Sequence, residues 1–205
     1  MPQPQTLRTL AAHIAPTLKA RGFRKRALTW NAPAPEDGLI FQVGLFAHSV
    51  TSAAHGSFRA EFGIYLPEKA LYTGSDKQGE WVNNYDCAFR LMIGADRLGD
   101  QHWPITDQPF VRDELATAIE TGLSVINRFG TRDAILAHGS YDRGDAALDG
   151  GWFEPPLGLL KACIHLARDD ADAARVEVAA HIARSDKAGH ISHVKDWART
   201  KGLLR

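Results

Sequence analysis

Long apolar runs, paired cysteines and an excess of one charge are all missing from this sequence. No stretch of about 18 consecutive apolar residues occurs, and a helix that crosses a bilayer needs one. The N-terminal segment has no apolar run that ends in a small-residue cleavage site, so we expect no signal peptide. These absences predict a cytoplasmic protein with no membrane partner.

Neither charge sign predominates, since the chain contains 24 Lys and Arg residues and 24 Asp and Glu residues. A dedicated binder of nucleic acid or of anionic membranes normally carries a basic excess, so this balance predicts no nucleic-acid partner. One basic cluster, at residues 19–26, lies at the end of a predicted helix, where cations complement the helix dipole. Only Phe23 and Trp30 lie near it, which is too few aromatic side chains for base stacking.

The two cysteines and nine histidines do not form a metal-site pattern. Cys87 and Cys163 are isolated on apolar stretches without a Cys-x-x-Cys spacing, which predicts buried, reduced thiols. His190 and His193 are close in sequence, but no third ligand lies nearby, and catalytic zinc needs three protein ligands. We therefore predict neither a metal nor another cofactor.

Catalytic sequence motifs are also missing. The chain contains no Gly-x-Ser-x-Gly motif, no Walker A motif and no Gly-x-Gly-x-x-Gly motif. An enzyme is therefore less well supported than a binding protein, although residues that are distant in sequence can still converge on one site.

Alternation of apolar and polar residues is the clearest positive signal. Residues 39–45 and 58–66 each place their apolar side chains on one parity, which is the period of a half-buried strand. The small, polar stretch between them predicts a hairpin loop. Residues 23–31 and 85–93 are predicted to form the first and fourth strands. Four consecutive strands without intervening helices predict an antiparallel meander with one face on the core.

Helical spacing follows on both sides of the predicted sheet. Apolar residues at helical intervals over 6–20 and 110–128 predict amphipathic helices packed on one face of the sheet. Further helical patterns come after the Gly-, Asp- and Pro-rich segment 139–156, which is the best boundary in the chain. We therefore predict an α+β domain at residues 1–138, a linker at 139–156 and a C-terminal helical extension at 157–205.

Three stretches carry a resemblance to a known family. They are "APTLKARGFRKRALTW" at 15–30, the paired strands "IFQVGLF" and "FRAEFGIYLP", and "FRLMIGADRLGDQHWPI" at 89–105. Together they resemble the bacterial domain of unknown function 4304 family, over roughly residues 5–138. Members tend to carry Asn shortly before the Gly of the third strand, whereas this chain has Glu61 ahead of Phe62 and Gly63. The resemblance implies an α+β fold, and small bacterial domains of this kind are often partners of other proteins.

The polar parity of the predicted strands supplies the candidate site. If the apolar parity faces the helices, the opposite face of the sheet carries polar groups and charges of both signs. The candidate binding residues on this face are Gln42, His48, Arg59, Glu61, Tyr65 and Arg90. Such a face can be a solvated surface with cross-strand ion pairs. It can also be a binding face, because mixed hydrogen-bonding groups around an aromatic side chain suit protein recognition.

Two hypotheses for function follow from this face. The preferred one is a non-catalytic protein-binding module of the bacterial cytoplasm, and its most concrete form is a toxin-neutralising, immunity-type protein. The alternative is a small hydrolase-like enzyme that uses His48, Glu61 and Asp86 on the open sheet face. A neighbouring gene for a secreted toxin would favour the first hypothesis, and an enclosed pocket around those three residues would favour the second.

Overall fold

The structure, a computed structural model, describes residues 3–48, 56–74, 80–94, 102–139 and 151–205. Within these ranges the fold is α+β, with seven α-helices and a seven-stranded sheet in which every pair of neighbours is antiparallel. The strand order is β1-β2-β3-β4-β5-β7, and β6 pairs with β4. The strands are β1 Arg24–Arg26, β2 Thr29–Pro33, β3 Ile40–His48, β4 Ser57–Tyr65, β5 Phe89–Ile93, β6 Trp103–Pro104 and β7 Trp152–Phe153.

The four-stranded meander is only part of this sheet. The predicted strand at 23–31 is two strands, β1 and β2, which pair across a turn at Ala27, whose φ of 55° is left-handed. The Thr29 hydroxyl closes this turn by donating to the carbonyl oxygen of Arg26 at 2.9 Å. The predicted fourth strand begins at Phe89 rather than at residue 85, because residues before it form a 3-10 turn.

Helices cover the apolar face of the sheet, as the spacing of apolar residues predicts. The helices are α1 Gln3–Ala20, α2 Ala70–Thr73, α3 Pro109–Arg128, α4 Arg132–Ala137, α5 Leu157–Ala167, α6 Ala171–Arg184 and α7 Ala188–Thr200. Helices α1 and α3 pack on each other, and α3 packs on β4 and β5. The predicted inward parity is confirmed, since Phe41, Val43, Phe58, Phe62 and Ile64 are all buried in the core.

Helix α5 belongs to two apolar clusters at once. Leu157, Leu160 and Ile164 join the core beneath the sheet. Leu159 and Cys163 pack instead in a second cluster with residues of α6 and α7. The helices predicted after residue 157 are therefore present, and the first of them shares its apolar surface with the sheet.

The predicted linker at 139–156 contributes to the sheet. Residues 140–150 of that segment lie outside the described residues. Beyond them, Trp152 and Phe153 form β7 and pair with Arg90 and Phe89 of β5. Phe153 also contacts the rings of Phe89 and Phe129. Among the described helices, none has both the length and the apolar character needed to span a membrane.

Candidate functional site

The polar face of the sheet is covered rather than open. Residues 81–87, which we call the covering segment, cross this face above β2, β3 and β4. The Asn31 side chain of β2 holds the segment by two hydrogen bonds, because its Nδ2 donates to the Val82 oxygen at 3.0 Å and its Oδ1 accepts from the Val82 nitrogen at 2.8 Å. Trp81 Nε1 also donates to the Thr29 hydroxyl at 3.0 Å. The prediction of an open, solvated sheet face is therefore wrong for this region.

Gly63 of β4 is what lets the covering segment lie so close to the sheet. A Cβ atom at this position would lie 2.4 Å from Cys87 Sγ and 2.8 Å from Cys87 Cβ. Cys87 falls within the predicted strand at 85–93, whose apolar residues were expected to face the helices. In the structure it is buried on the opposite side of the sheet, against Gly63.

Gly63→Ala is accordingly expected to destabilise the protein by about 1–3 kcal/mol, because the added methyl group would push the covering segment away from β4. Urea unfolding of both proteins measures the change. Gly189→Ala is the matched control, since a Cβ at Gly189 would meet nothing within 4 Å. Equal stability of Gly63→Ala and wild type would show that the segment does not rest on this glycine.

Glu61 and Gln42 are buried beneath the covering segment. Glu61 is 4% exposed, and its Oε1 accepts from Arg59 Nε at 2.8 Å while its Oε2 accepts from Asn84 Nδ2. Gln42 is fully buried, and neither atom of its carboxamide has a hydrogen-bond partner among the described residues. Both residues were predicted to bind a partner from an exposed face of the sheet, but neither side chain is exposed.

The hydrolase hypothesis gains little from this geometry. Glu61 is buried, and both of its oxygens accept hydrogen bonds from protein side chains rather than facing an open pocket. Asp86 lies in a 3-10 turn, where its Oδ2 accepts from the Asn83 nitrogen at 2.8 Å in a capping box. His48 pairs with Ser57 at the end of β3, and its side chain lies outside the described residues.

The three remaining candidates lie along β4 and β5 and keep some exposure. Arg59 and Arg90 are partly exposed, and each is ion-paired, Arg59 with Glu61 and Arg90 with Glu154. Tyr65 is partly exposed at the opposite end of β4 from Arg59. Tyr65 lies six positions along the strand from Arg59, which corresponds to about 20 Å at about 3.3 Å per residue.

Tyr85 is an exposed aromatic side chain that is not among the predicted candidate residues. It lies in the 3-10 turn Asn84–Asp86, which we call the Tyr85 turn, and it is 69% exposed. The Tyr85 carbonyl oxygen accepts from Lys69 Nζ at 2.9 Å and from Arg90 Nη2 at 2.6 Å. Lys69 also donates to the Cys87 carbonyl oxygen at 3.1 Å. Two cations from neighbouring elements thus hold the turn in place.

The charges around the Tyr85 turn act on one another. Burial lowers the pKa of Lys69 below its ordinary value, and the neighbouring Arg90 guanidinium lowers it further. The nearby Glu154 carboxylate acts in the opposite direction, and it pairs with Arg90 at 2.9 Å. Asn83 followed three residues later by Asp86 is the spacing of a capping box, and this sequence signal could have identified the turn.

The two thiols are buried and unpaired, as predicted. Burial raises the pKa of Cys87 above its ordinary range and that of Cys163 to about 12, so neither is a ready nucleophile. Within the described ranges, no three His, Cys, Asp or Glu side chains are placed to hold a metal ion.

Comparison with known protein families gives one match. The model of the family described as "Domain of unknown function (DUF4304)" matches residues 14–129, from α1 to the end of α3. The comparisons with curated proteins and with solved structures gave no match. Because the family match covers more than half of the 205 residues, the chain belongs to the domain of unknown function 4304 family.

Proposed function

We propose that this chain is a non-catalytic protein-binding module that contacts its partner through the Tyr85 turn. The observation that carries the proposal is the exposure of Tyr85, which is 69%, on a turn to which Lys69 and Arg90 donate hydrogen bonds. Exposed large hydrophobic side chains are few among the described residues, and the others are Phe110 at 39% and Val176 at 67%. A tyrosine is also one of the residues on which binding free energy most often concentrates.

The clamps on the Tyr85 turn lower the cost of binding. Lys69 and Arg90 donate hydrogen bonds to the Tyr85 carbonyl oxygen, and the capping box of Asn83 and Asp86 adds hydrogen bonds inside the turn. Asn83 Nδ2 donates to the Tyr85 hydroxyl at 3.0 Å and so restricts the ring as well. A side chain that is already held in place loses little conformational entropy when a partner covers it.

The surroundings of the turn favour a protein partner over a single small ion. Arg90 and Glu154 place both charge signs beside Tyr85, and Trp152 lies opposite Arg90 in the sheet. An aromatic centre with charged groups at its edge is the ordinary arrangement of a protein interface. Charges at such an edge mainly set the association rate and the choice of partner.

We propose that the chain binds its partner in the bacterial cytoplasm. Two buried cysteines that remain unpaired suit a reducing compartment. Neutralisation of a toxin is the most concrete form of the proposed binding, because it requires recognition and no catalytic group.

Tyr85→Ala is expected to weaken partner binding by about 1–3 kcal/mol, which is about fivefold to 150-fold in Kd, without changing the melting temperature. The fold is spared because truncating an exposed side chain opens no cavity. The partner is first captured from a lysate of the native host on the immobilised wild-type chain. Kd is then measured for each variant by titration with the purified partner.

Val176→Ala is the matched control, since Val176 is 67% exposed on α6 and belongs to a different surface. We expect this variant to capture the same partner with unchanged Kd. If both variants bind as the wild type does, the Tyr85 turn is not the interface. If the lysate yields no partner that binds Val176→Ala more tightly than Tyr85→Ala, the proposed function is wrong.

A further inference from the structure

Two histidines join α6 to α7. His181 Nε2 and His190 Nε2 are 2.8 Å apart, and the ring centroids are 5.1 Å apart with the ring planes at 81°. These separations align the rings end to end, with one nitrogen facing the other. The contact is therefore an N–H···N hydrogen bond in which one ring donates and the other must be neutral to accept.

This alignment suits a shared proton better than a metal ion. A metal would require the two nitrogen lone pairs to converge on a third point, whereas here they face each other. No third ligand accompanies them among the described residues. The hydrogen bond can form when both rings are neutral, and also when the donor ring carries an additional proton. When both rings are protonated, neither nitrogen can accept, and the hydrogen bond is lost.

The charges near His181 oppose its protonation. Burial first, and then the neighbouring His190 and Arg184, lower the pKa of His181 to about 4. On α5, burial lowers the pKa of Lys161, on which Glu177 and Arg184 of α6 act in opposite directions. On α7, His193 lies with its ring edge against Tyr72, and Asp186 and Lys187 are exposed in the connection between the two helices.

Helix α7 is docked on the sheet domain through α2. Trp197 Nε1 donates to the Leu71 carbonyl oxygen at 2.8 Å, and the Trp197 ring contacts Tyr72 at a centroid distance of 5.2 Å. Helix α2 directly follows the 3-10 turn Pro67–Lys69, which supplies the lysine clamp of the Tyr85 turn. Packing thus connects α7 to the turn through a short series of contacts.

We propose that the His181–His190 pair is an acid-sensitive joint, in which protonation of both rings separates α7 from α6 and releases Trp197 from α2. This device is additional to the proposed function and does not depend on it. A released His181 ring takes up a proton at the ordinary histidine pKa of about 6.5. Because the pKa of docked His181 is lower, docking is complete above about pH 6.5 and weakens as the pH falls from there towards 4.

Amide hydrogen exchange followed by mass spectrometry tests the joint in the full chain. After correction for intrinsic rates, α7 amides of the wild type should exchange about tenfold faster at about pH 5 than at about pH 7.5. Amides of α3 serve as the internal reference. In His181→Gln the pH effect on α7 should fall below about twofold, whereas His13→Gln, at an exposed histidine of α1, should keep the wild-type response.

Equal exchange of wild-type α7 at the two pH values would overturn the proposal, and so would loss of the response in His13→Gln but not in His181→Gln. If the His181→Gln variant does not fold, a second measurement on the wild type still tests the proposal. In an NMR titration of the wild type, the His181 imidazole should stay neutral to below about pH 5. Titration of His181 near its ordinary pKa with α7 unchanged would also refute the joint.

Discussion

Phe62→Ala is expected to lower the free energy of unfolding by about 3–5 kcal/mol, through lost burial and the cavity that the missing ring leaves. Phe62 is fully buried in the middle of β4, between Val43 of β3 and Leu91 of β5. Its ring fills the space that Gly122 of α3 leaves, because a Cβ at Gly122 would lie 2.3–2.4 Å from three ring atoms. Urea unfolding at neutral pH measures the loss.

A double-mutant cycle with Gly122 shows whether this contact is the cause. Gly122→Ala alone should destabilise by about 1–3 kcal/mol, since its methyl group collides with the Phe62 ring. In the Phe62→Ala background the same substitution should cost little, so the two effects should not add. Additive effects, or a Phe62→Ala variant as stable as the wild type, would mean that the ring is not packed between sheet and helix.

Much of the sheet and its helical cover could be predicted because the apolar face of β3 and β4 packs in the core. Packing of that face forces the period-2 alternation of residues 39–45 and 58–66, and a one-residue error in register would turn the whole apolar set away from the core. The apolar residues of α1 and α3 recur at helical intervals for the same reason, because one side of each helix packs in the core. The rest of the sheet was missed because β6 and β7 contain two residues each, too few to show any period.

The candidate site was harder to predict because its burial depends on a distant segment. Polar residues at alternate positions indicate a solvated face only when nothing covers that face. Here residues 81–87 cover it, and the polar groups of Asn31 and Glu61 bind that segment instead of water. Tyr85 has the parity of a strand residue, but the 3-10 turn points it away from the core. No local pattern around Gln42 or Glu61 encodes this contact.

The histidine pair illustrates the same limit of local patterns. His190 and His193 are three residues apart and attract attention as a ligand spacing, yet the structure pairs His190 with His181 of another helix. His181 and His190 are nine residues apart. This separation reflects the connection between α6 and α7 and corresponds to no helical or strand period. Side chains that meet across two elements become visible only when the packing of those elements is known.

An ion network at Arg132 joins three segments that the sequence does not connect. Arg132 begins α4, and its Nη1 donates to Glu36 Oε1 at 2.9 Å and to the Asp37 carbonyl oxygen at 3.0 Å. Its Nε also donates to Glu68, whose side chain is 8% exposed. Burial alone would raise the pKa of Glu36, but hydrogen bonds from Arg132 and its charge outweigh this effect, and the pKa is lowered overall.

Arg132→Met is therefore expected to destabilise the protein by about 3 kcal/mol at neutral pH, because it leaves Glu68 buried without its cation. Arg175→Met is the control, since the Arg175–Asp172 pair is exposed and such pairs contribute about 0–1 kcal/mol. Adding Glu68→Leu to Arg132→Met should recover much of the loss, because an apolar replacement removes the unpaired charge.

The effect of Arg132→Met should also depend on pH in a definite direction. A carboxylate whose pKa is lowered by folding contributes stability above its ordinary pKa of about 4.3, and this contribution is lost as the pH falls through the lowered value. In the wild type, acid therefore removes the benefit that Glu36 draws from Arg132. The stability difference between wild type and Arg132→Met should then shrink between about pH 7 and about pH 3.5, as urea titrations at both values can measure. A difference that is constant with pH would assign the loss to the packing of the arginine stem rather than to its charge.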